Sequence, residues 1–157
     1  MAMKEGMTMN INRKTLTLVL GVLLAVLALA GCAPSVKVEA VQGSDREAVL
    51  AYSEPMVENL LAGMNAADYA VFSRDFDEMM LKAIPEKAFA NLLAGTTGKV
   101  GAYASRAVDR VDKVGENYRV VYKARFAEDE NVQMLVSFSG AEPHKIAGLF
   151  FTSDKMK

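Results

Sequence analysis

Three carboxylates, Asp75, Asp77 and Glu78, fall within four positions of the stretch DYAVFSRDFDEMM (residues 68–80). Acids this dense could hold a divalent cation or move a proton. Helical geometry argues against both. Residues two apart on a helix project about 200° apart, so Asp75 and Asp77 cannot converge on one ion. Asp75 and Glu78 are neighbours, but a single carboxylate pair is a poor magnesium or calcium site without further oxygens. Basic partners lie close by: Arg74 precedes Glu78 by four, and Glu78 precedes Lys82 by four. Such pairs contribute about 0.2–0.5 kcal/mol each. The acids therefore read as the wet side of a helix. If that helix breaks near Arg74, Asp75 becomes the N-cap of a second piece, with Glu78 in its first turn. Between the acids, Tyr69, Phe72 and Phe76 share one face with Met79, Met80 and Ala83. An aromatic stripe at this spacing reads first as core. The alternative is the lining of a ligand cavity, which Asp75 and Tyr122 would join.

Other reactive residues are few. His144 follows Pro143 in a turn and has no local partner for nucleophilic chemistry, so it reads as an exposed turn histidine. The segment GTTGKVG (residues 95–101) lacks the phosphate loop's spacing. Only two residues separate its first glycines, Val follows the Lys, and a helix precedes it instead of a strand. Cys32 is the only cysteine, which excludes an internal disulfide. One His and one Cys cannot build a zinc site alone. A net charge of −1 argues against a nucleic-acid partner. No catalytic, metal or cofactor-binding set assembles from these residues, which points away from an enzyme.

The chain has 157 residues, enough for one ordinary domain, and its composition of 52% hydrophobic and 24% charged residues is globular. Its N-terminus has a separate purpose. Arg13 and Lys14 precede an almost purely apolar run, Thr15 to Ala30, which ends in Leu29-Ala30-Gly31-Cys32. A run of about 16 residues is short for a spanning helix, which needs about 20. The tetrapeptide resembles the prokaryotic lipoprotein box. That resemblance implies cleavage before Cys32 and diacylglycerol on its thiol, with residues 1–31 as signal peptide. Met9 is an alternative start to Met1, since the basic region follows it. The product would be lipid-anchored in the cell envelope, on the outer side of the cytoplasmic membrane or in the outer membrane. Without Lys4, Glu5, Arg13 and Lys14, 15 basic and 18 acidic residues remain, a net of −3. That offers no polybasic second membrane signal, so the lipid is the anchor.

Residues 32–43 read as a tether and 44–157 as a single α+β domain. Ser44 and Glu47 fit a capping box for a first helix, with Val49, Tyr52, Met56, Leu60 and Met64 facing in. Pro55 predicts a kink or break near Ser53, and Gly63 and Asn65 mark the end. Asp68 caps a second helix, and PEKAFANLLAG (residues 85–95) makes a third. Four strands follow. The first, within 102–114, is irregular. Val120, Tyr122, Ala124 and Phe126 alternate with Arg119, Lys123 and Arg125 in the second, where only Val121 spoils the polar set, and Val132, Met134, Val136 and Phe138 alternate with Gln133 and Ser137 in the third. HKIAGLFFTS (residues 144–153) is apolar on both faces and reads as a central or pocket-lining strand.

The stretches ADYAVFSRDFDEMM (residues 67–80) and KIAGLFF (residues 145–151), with the helix-then-meander order, resemble the bacterial and archaeal family catalogued as domain of unknown function 3887. The likeness spans about Arg46 to Phe151. It implies a nuclear transport factor 2-like (cystatin-like) cone, in which a curved four-stranded antiparallel sheet wraps the N-terminal helices. It brings no catalytic residues. The expected role is a membrane-anchored, non-catalytic module that binds a small apolar ligand, a partner protein or a second copy of itself. One alternative is a small enzyme of the ketosteroid-isomerase type, with Asp75 as base and Tyr69 or Tyr122 as donor. Another is an accessory subunit of a separately encoded hydrolase or transporter.

Overall fold

The computed structural model describes residues 36–157. The expected signal peptide (residues 1–31) and the expected lipidation site Cys32 lie outside the described residues. The elements in order are β1 (Val38–Ala40), α1 (Gly43–Ala66), α2 (Tyr69–Phe72), α3 (Glu78–Ala83), α4 (Glu86–Gly95), α5 (Thr97–Val100), β2 (Tyr103–Val114), β3 (Asn117–Phe126), β4 (Asp129–Phe138) and β5 (Ile146–Thr152), then a 3-10 turn at Asp154–Met156.

Two expectations about α1 fail for local reasons. The Ser44–Glu47 capping box is not used, because the helix starts two residues earlier than a Ser44 cap would set. Gly43 takes a left-handed φ of 59°, and the N-cap Gln42 makes no side-chain bond. Nor does Pro55 break the helix, which runs through it for 24 residues. Proline removes the N–H that would serve the Ala51 carbonyl, but Ala51 is exposed, where water serves it instead. The buried stripe is Val49, Ser53, Val57, Leu60, Leu61 and Met64, with Tyr52 and Met56 packed at its margin.

The second helix is broken where the sequence allowed a break, but a different aspartate caps the new piece. Asp68 accepts from Val71 N at 3.1 Å to start α2. After one turn the chain straightens. Phe76 then forms a parallel bridge to Ile146: Ile146 N donates to Asp75 O at 2.8 Å, and Asp77 N donates to Ile146 O at 2.9 Å. Asp77, not Asp75, then caps α3, accepting from Met80 N at 2.7 Å. The restart resets the helical phase. Met80 goes inward and Met79 is left 69% exposed, against the single face expected for both. Of the two ion pairs expected here, Glu78–Lys82 forms at 3.8 Å. Arg74 sits off the helix and donates to Asn59 instead.

The sheet has five antiparallel strands in the order β1-β2-β3-β4-β5, one more than expected. The extra strand comes from the stretch read as tether: Val38, Glu39 and Ala40 pair with Val114, Lys113 and Asp112. Three residues with no large side chains carry no periodicity to read, so this strand is made by its neighbour. The irregular β2 is confirmed, with shifts at Tyr103/Ser105 and Val108/Arg110. The alternation in β3 and β4 is also confirmed: Val120, Tyr122, Met134, Val136 and Phe138 join the helical residues in one core, while Ala124, Phe126 and Val132 form a second cluster with Val100. β5 corrects an expectation. Although apolar on both faces, it is an edge strand, and Phe150 is 61% exposed.

Candidate functional site

The residues proposed as cavity lining mostly fill the interior. Phe72, Phe76 and Tyr122 are buried. The Phe72 ring stacks on Phe89 at 4.6 Å and meets Phe76 edge-on at 4.9 Å. Tyr69 is half-buried, its ring 5.6 Å from Phe89, and its hydroxyl donates to Ile84 O at 2.8 Å. Phe72 contacts Tyr69, Phe76 and Phe89, and the groove beside Lys123 and Gln133 is lined by other residues. Asp75 has other partners. Its Oδ2 accepts from Asn59 Nδ2 at 2.8 Å, and Lys145 Nζ stands 3.9 Å from Oδ1. No hydrogen bond joins Asp75 to Tyr69 or Tyr122, whose hydroxyls go to Ile84 O and Glu54 Oε1. His144 is not an exposed turn residue either. It stacks on Tyr52 at 4.2 Å, and its Nδ1 lies 3.1 Å from Ser139 O. Among the described residues no three His, Cys, Asp or Glu side chains converge as metal ligands, and no helix is long and apolar enough to cross a membrane.

What the sequence concealed is an ionic cluster under α1. Arg106 points inward from β2 and is only 9% exposed at its side chain. It donates to Glu54 Oε2 at 3.1 Å, to Glu58 Oε2 at 2.7 Å and to Tyr103 Oη at 3.1 Å. Its guanidinium also lies 5.5 Å from the Tyr122 ring centre. Tyr122, in turn, donates its hydroxyl to Glu54 Oε1 at 2.8 Å. Burial alone would drain charge from Arg106, but the bonds to Glu58 and Tyr103 and the Glu54 charge outweigh it and raise its pKa. Both Glu54 oxygens already accept protein donors, so neither is aimed at a substrate. Chemically the cluster is a clamp joining α1 to β2 and β3. Glu54 and Glu58 are four apart on α1, which was legible. The inward turn of Arg106 was not, because β2 shifts register on both sides of it.

Tyr122 and Tyr52 also give the fold an alkaline limit. Burial, then the Glu54 neighbour, raises the Tyr122 pKa. Burial, then Tyr118, pushes Tyr52 up to about 12. The folded state keeps both phenols protonated while the unfolded chain ionises near pH 10. Their contribution is thus fully present below about pH 10 and is lost as pH rises through the folded values. Melting temperature measured against pH should fall above pH 10. The paired changes Tyr52→Phe and Tyr122→Phe should flatten that limb.

The outward face of the sheet is divided. Strand register aligns three rows across β2, β3, β4 and β5: Arg110-Val121-Leu135-Phe150, Asp112-Arg119-Ser137-Gly148 and Ala107-Lys123-Gln133-Thr152. On β2 and β3 these rows hold an ion ladder. Asp112, itself buried, takes Arg119 at 2.8 Å and Arg110 at 3.2 Å, while Asp109 takes Lys123 at 2.7 Å. Lys123 first, then Arg110, holds the Asp109 carboxyl below its usual range. On β4 and β5 the same rows carry no charge at all. Leu135 and Phe150 form the apolar centre, and Ser137, Gly148, Gln133 and Thr152 flank it. An open groove of about 490 Å³ continues the face past Lys123 and Gln133.

No family model, curated protein or solved structure matches this chain.

Proposed function

We propose that the chain is a lipid-anchored protein of the cell envelope whose domain is a non-catalytic interaction module. In this reading its fold is the nuclear transport factor 2-like cone, supported by helices preceding an antiparallel meander and packed on one of its faces. The binding surface is the outer face of β4 and β5. The observation that carries it is the uncharged half of that face with Phe150 largely exposed at its centre. Exposed aromatics beside uncharged side chains match the desolvated core of a protein interface, where charges are depleted. In the neighbouring ion ladder each carboxylate already has basic partners, so its charges are largely engaged within the sheet. A second copy fits best, since a two-fold axis through the face would lay Leu135 and Phe150 of each copy together.

The mature chain should sediment as a reversible dimer, and Phe150→Asp should shift it to monomer with its melting temperature nearly unchanged. A monomer up to about 100 μM, with no cross-link from a photoreactive residue at Phe150 in cells, would remove the reading.

A further inference from the structure

The edge strand β1 changes what the lipid would do to the domain. Read as tether, residues 33–43 would span roughly 36–40 Å when extended, at about 3.3–3.6 Å per residue. The structure takes most of that length into the fold. Val38–Ala40 is paired with β2, and Gly115 N donates to Lys37 O at 3.3 Å, so the chain is held from Lys37 onward. From Cys32 to Val36 only about 14 Å of extended chain is left.

The end of the sheet where this leash enters is well defined. The β2–β3 turn at Gly115-Glu116 and the β4–β5 loop lie together there. Gly140 approaches so closely that a Cβ on it would fall 1.7 Å from Glu116 O. Two of the domain's exposed apolar side chains, Val36 at 65% and Val38 at 54%, sit on the leash and the first strand. Lys37 alternates with them on the other face of the strand, where it pairs with Glu39 at 3.3 Å, and Lys113 lies opposite Glu39. The β3–β4 turn is at the other end, a strand of ten residues or roughly 33 Å away.

We infer that the domain stands on the bilayer through this end, with Val36 and Val38 in the headgroup layer and β2–β5 rising away from the membrane. The inference rests on the lipid anchor of the proposed function. Exposed apolar side chains next to the anchor point suit the membrane interface, and the short leash supplies the local concentration that so small a contact needs. In that pose the outer face of β4 and β5 looks sideways along the membrane. It meets a partner anchored in the same leaflet, not one arriving from above.

The test uses the full-length protein purified from a bacterial host and placed in vesicles. Glu116→Cys and Glu128→Cys each add one free thiol, at the near and the far end, for a nitroxide label. A nickel-chelating lipid in the bilayer should relax the Glu116 label several-fold more than the Glu128 label. Inserting about a dozen Gly and Ser residues between Pro34 and Ser35 adds roughly 20 Å of mean reach. That insertion, made together with Val36→Asn and Val38→Asn, should bring the two labels level. Equal relaxation before any change overturns the orientation, as does a difference that survives those changes. Intact mass separates this from failure of the anchor: diacylglycerol on Cys32 with equal relaxation sinks the pose alone, whereas an unmodified Cys32 sinks the anchor and the pose with it.

Discussion

Gly63→Ala is expected to destabilise the domain by about 3 kcal/mol, a drop of roughly 10 °C in melting temperature. Helix propensity predicts the opposite sign, because alanine within a helix is favoured over glycine by about 1 kcal/mol. Packing decides the matter. A Cβ at Gly63 would lie 2.3 Å from Phe72 N, 2.5 Å from Phe72 Cα and 2.8 Å from Phe72 Cβ. Two of these atoms are backbone and cannot rotate away. α1 and α2 would have to part, and the corner joining them is short and tied, with Asp68 N donating to Gly63 O at 2.9 Å and Ala67 at a φ of 52°. Phe72 would move with α2, disturbing its contacts with Phe76 and Phe89. Gly95→Ala is the control, since a Cβ there meets nothing within 4 Å. Thermal melts of the two variants should move in opposite directions or leave Gly95→Ala unchanged. A Gly63→Ala protein as stable as wild type would refute the close crossing of α1 and α2.

Glu54→Leu should cost about 2–4 kcal/mol, more than the partial exposure of Glu54 suggests. The loss lies in what the carboxylate leaves behind. The Tyr122 hydroxyl is buried and has Glu54 Oε1 as its acceptor, so it would be stranded away from water. Arg106 would lose one side-chain acceptor while its Nε already has no hydrogen-bond partner among the described residues. An orphaned buried donor loses its full hydration, whereas removing both partners together is much milder. Adding Tyr122→Phe to Glu54→Leu should therefore recover about 1 kcal/mol. Urea unfolding of the two single variants and the double variant measures this directly. Strictly additive losses would mean that Glu54 and Tyr122 do not share the bond that joins α1 to β3.

The parts of the fold legible in the sequence were those carried by a repeating period. β3 and β4 each carry four apolar residues at alternate positions, Val120 to Phe126 and Val132 to Phe138, and all of these are buried. The Asp68 cap was legible because an aspartate bonds an amide three residues ahead, wholly within its own segment. Reading failed where a distant segment chose between local options. Asp75 and Asp77 are equally able to cap a helix. The bridge from Phe76 to Ile146, some seventy residues away, used the backbone of Asp75 and left Asp77 as the cap. Gly63 looked like a terminator, but its missing side chain serves a helix crossing that lies outside any local window.

The candidate site divides in the same way. Residue types along β4 and β5 already marked Leu135 and Phe150 as apolar, but not that β5 would be an edge strand with Phe150 outward. An apolar run serves a buried strand and a binding edge equally well, and only strand order tells them apart. By itself the sequence determined an α+β order and the Asp68 cap, because periodicity and this cap are properties of neighbouring residues. Its leader also set the expectation of a lipid anchor. The tertiary structure alone decided that the presumed tether is partly strand, that Arg106 turns inward onto Glu54 and Glu58, and that half of the outer sheet face is free of charge. Each of these depends on pairing between segments far apart in the chain, and a single linear pattern does not encode which pairing wins.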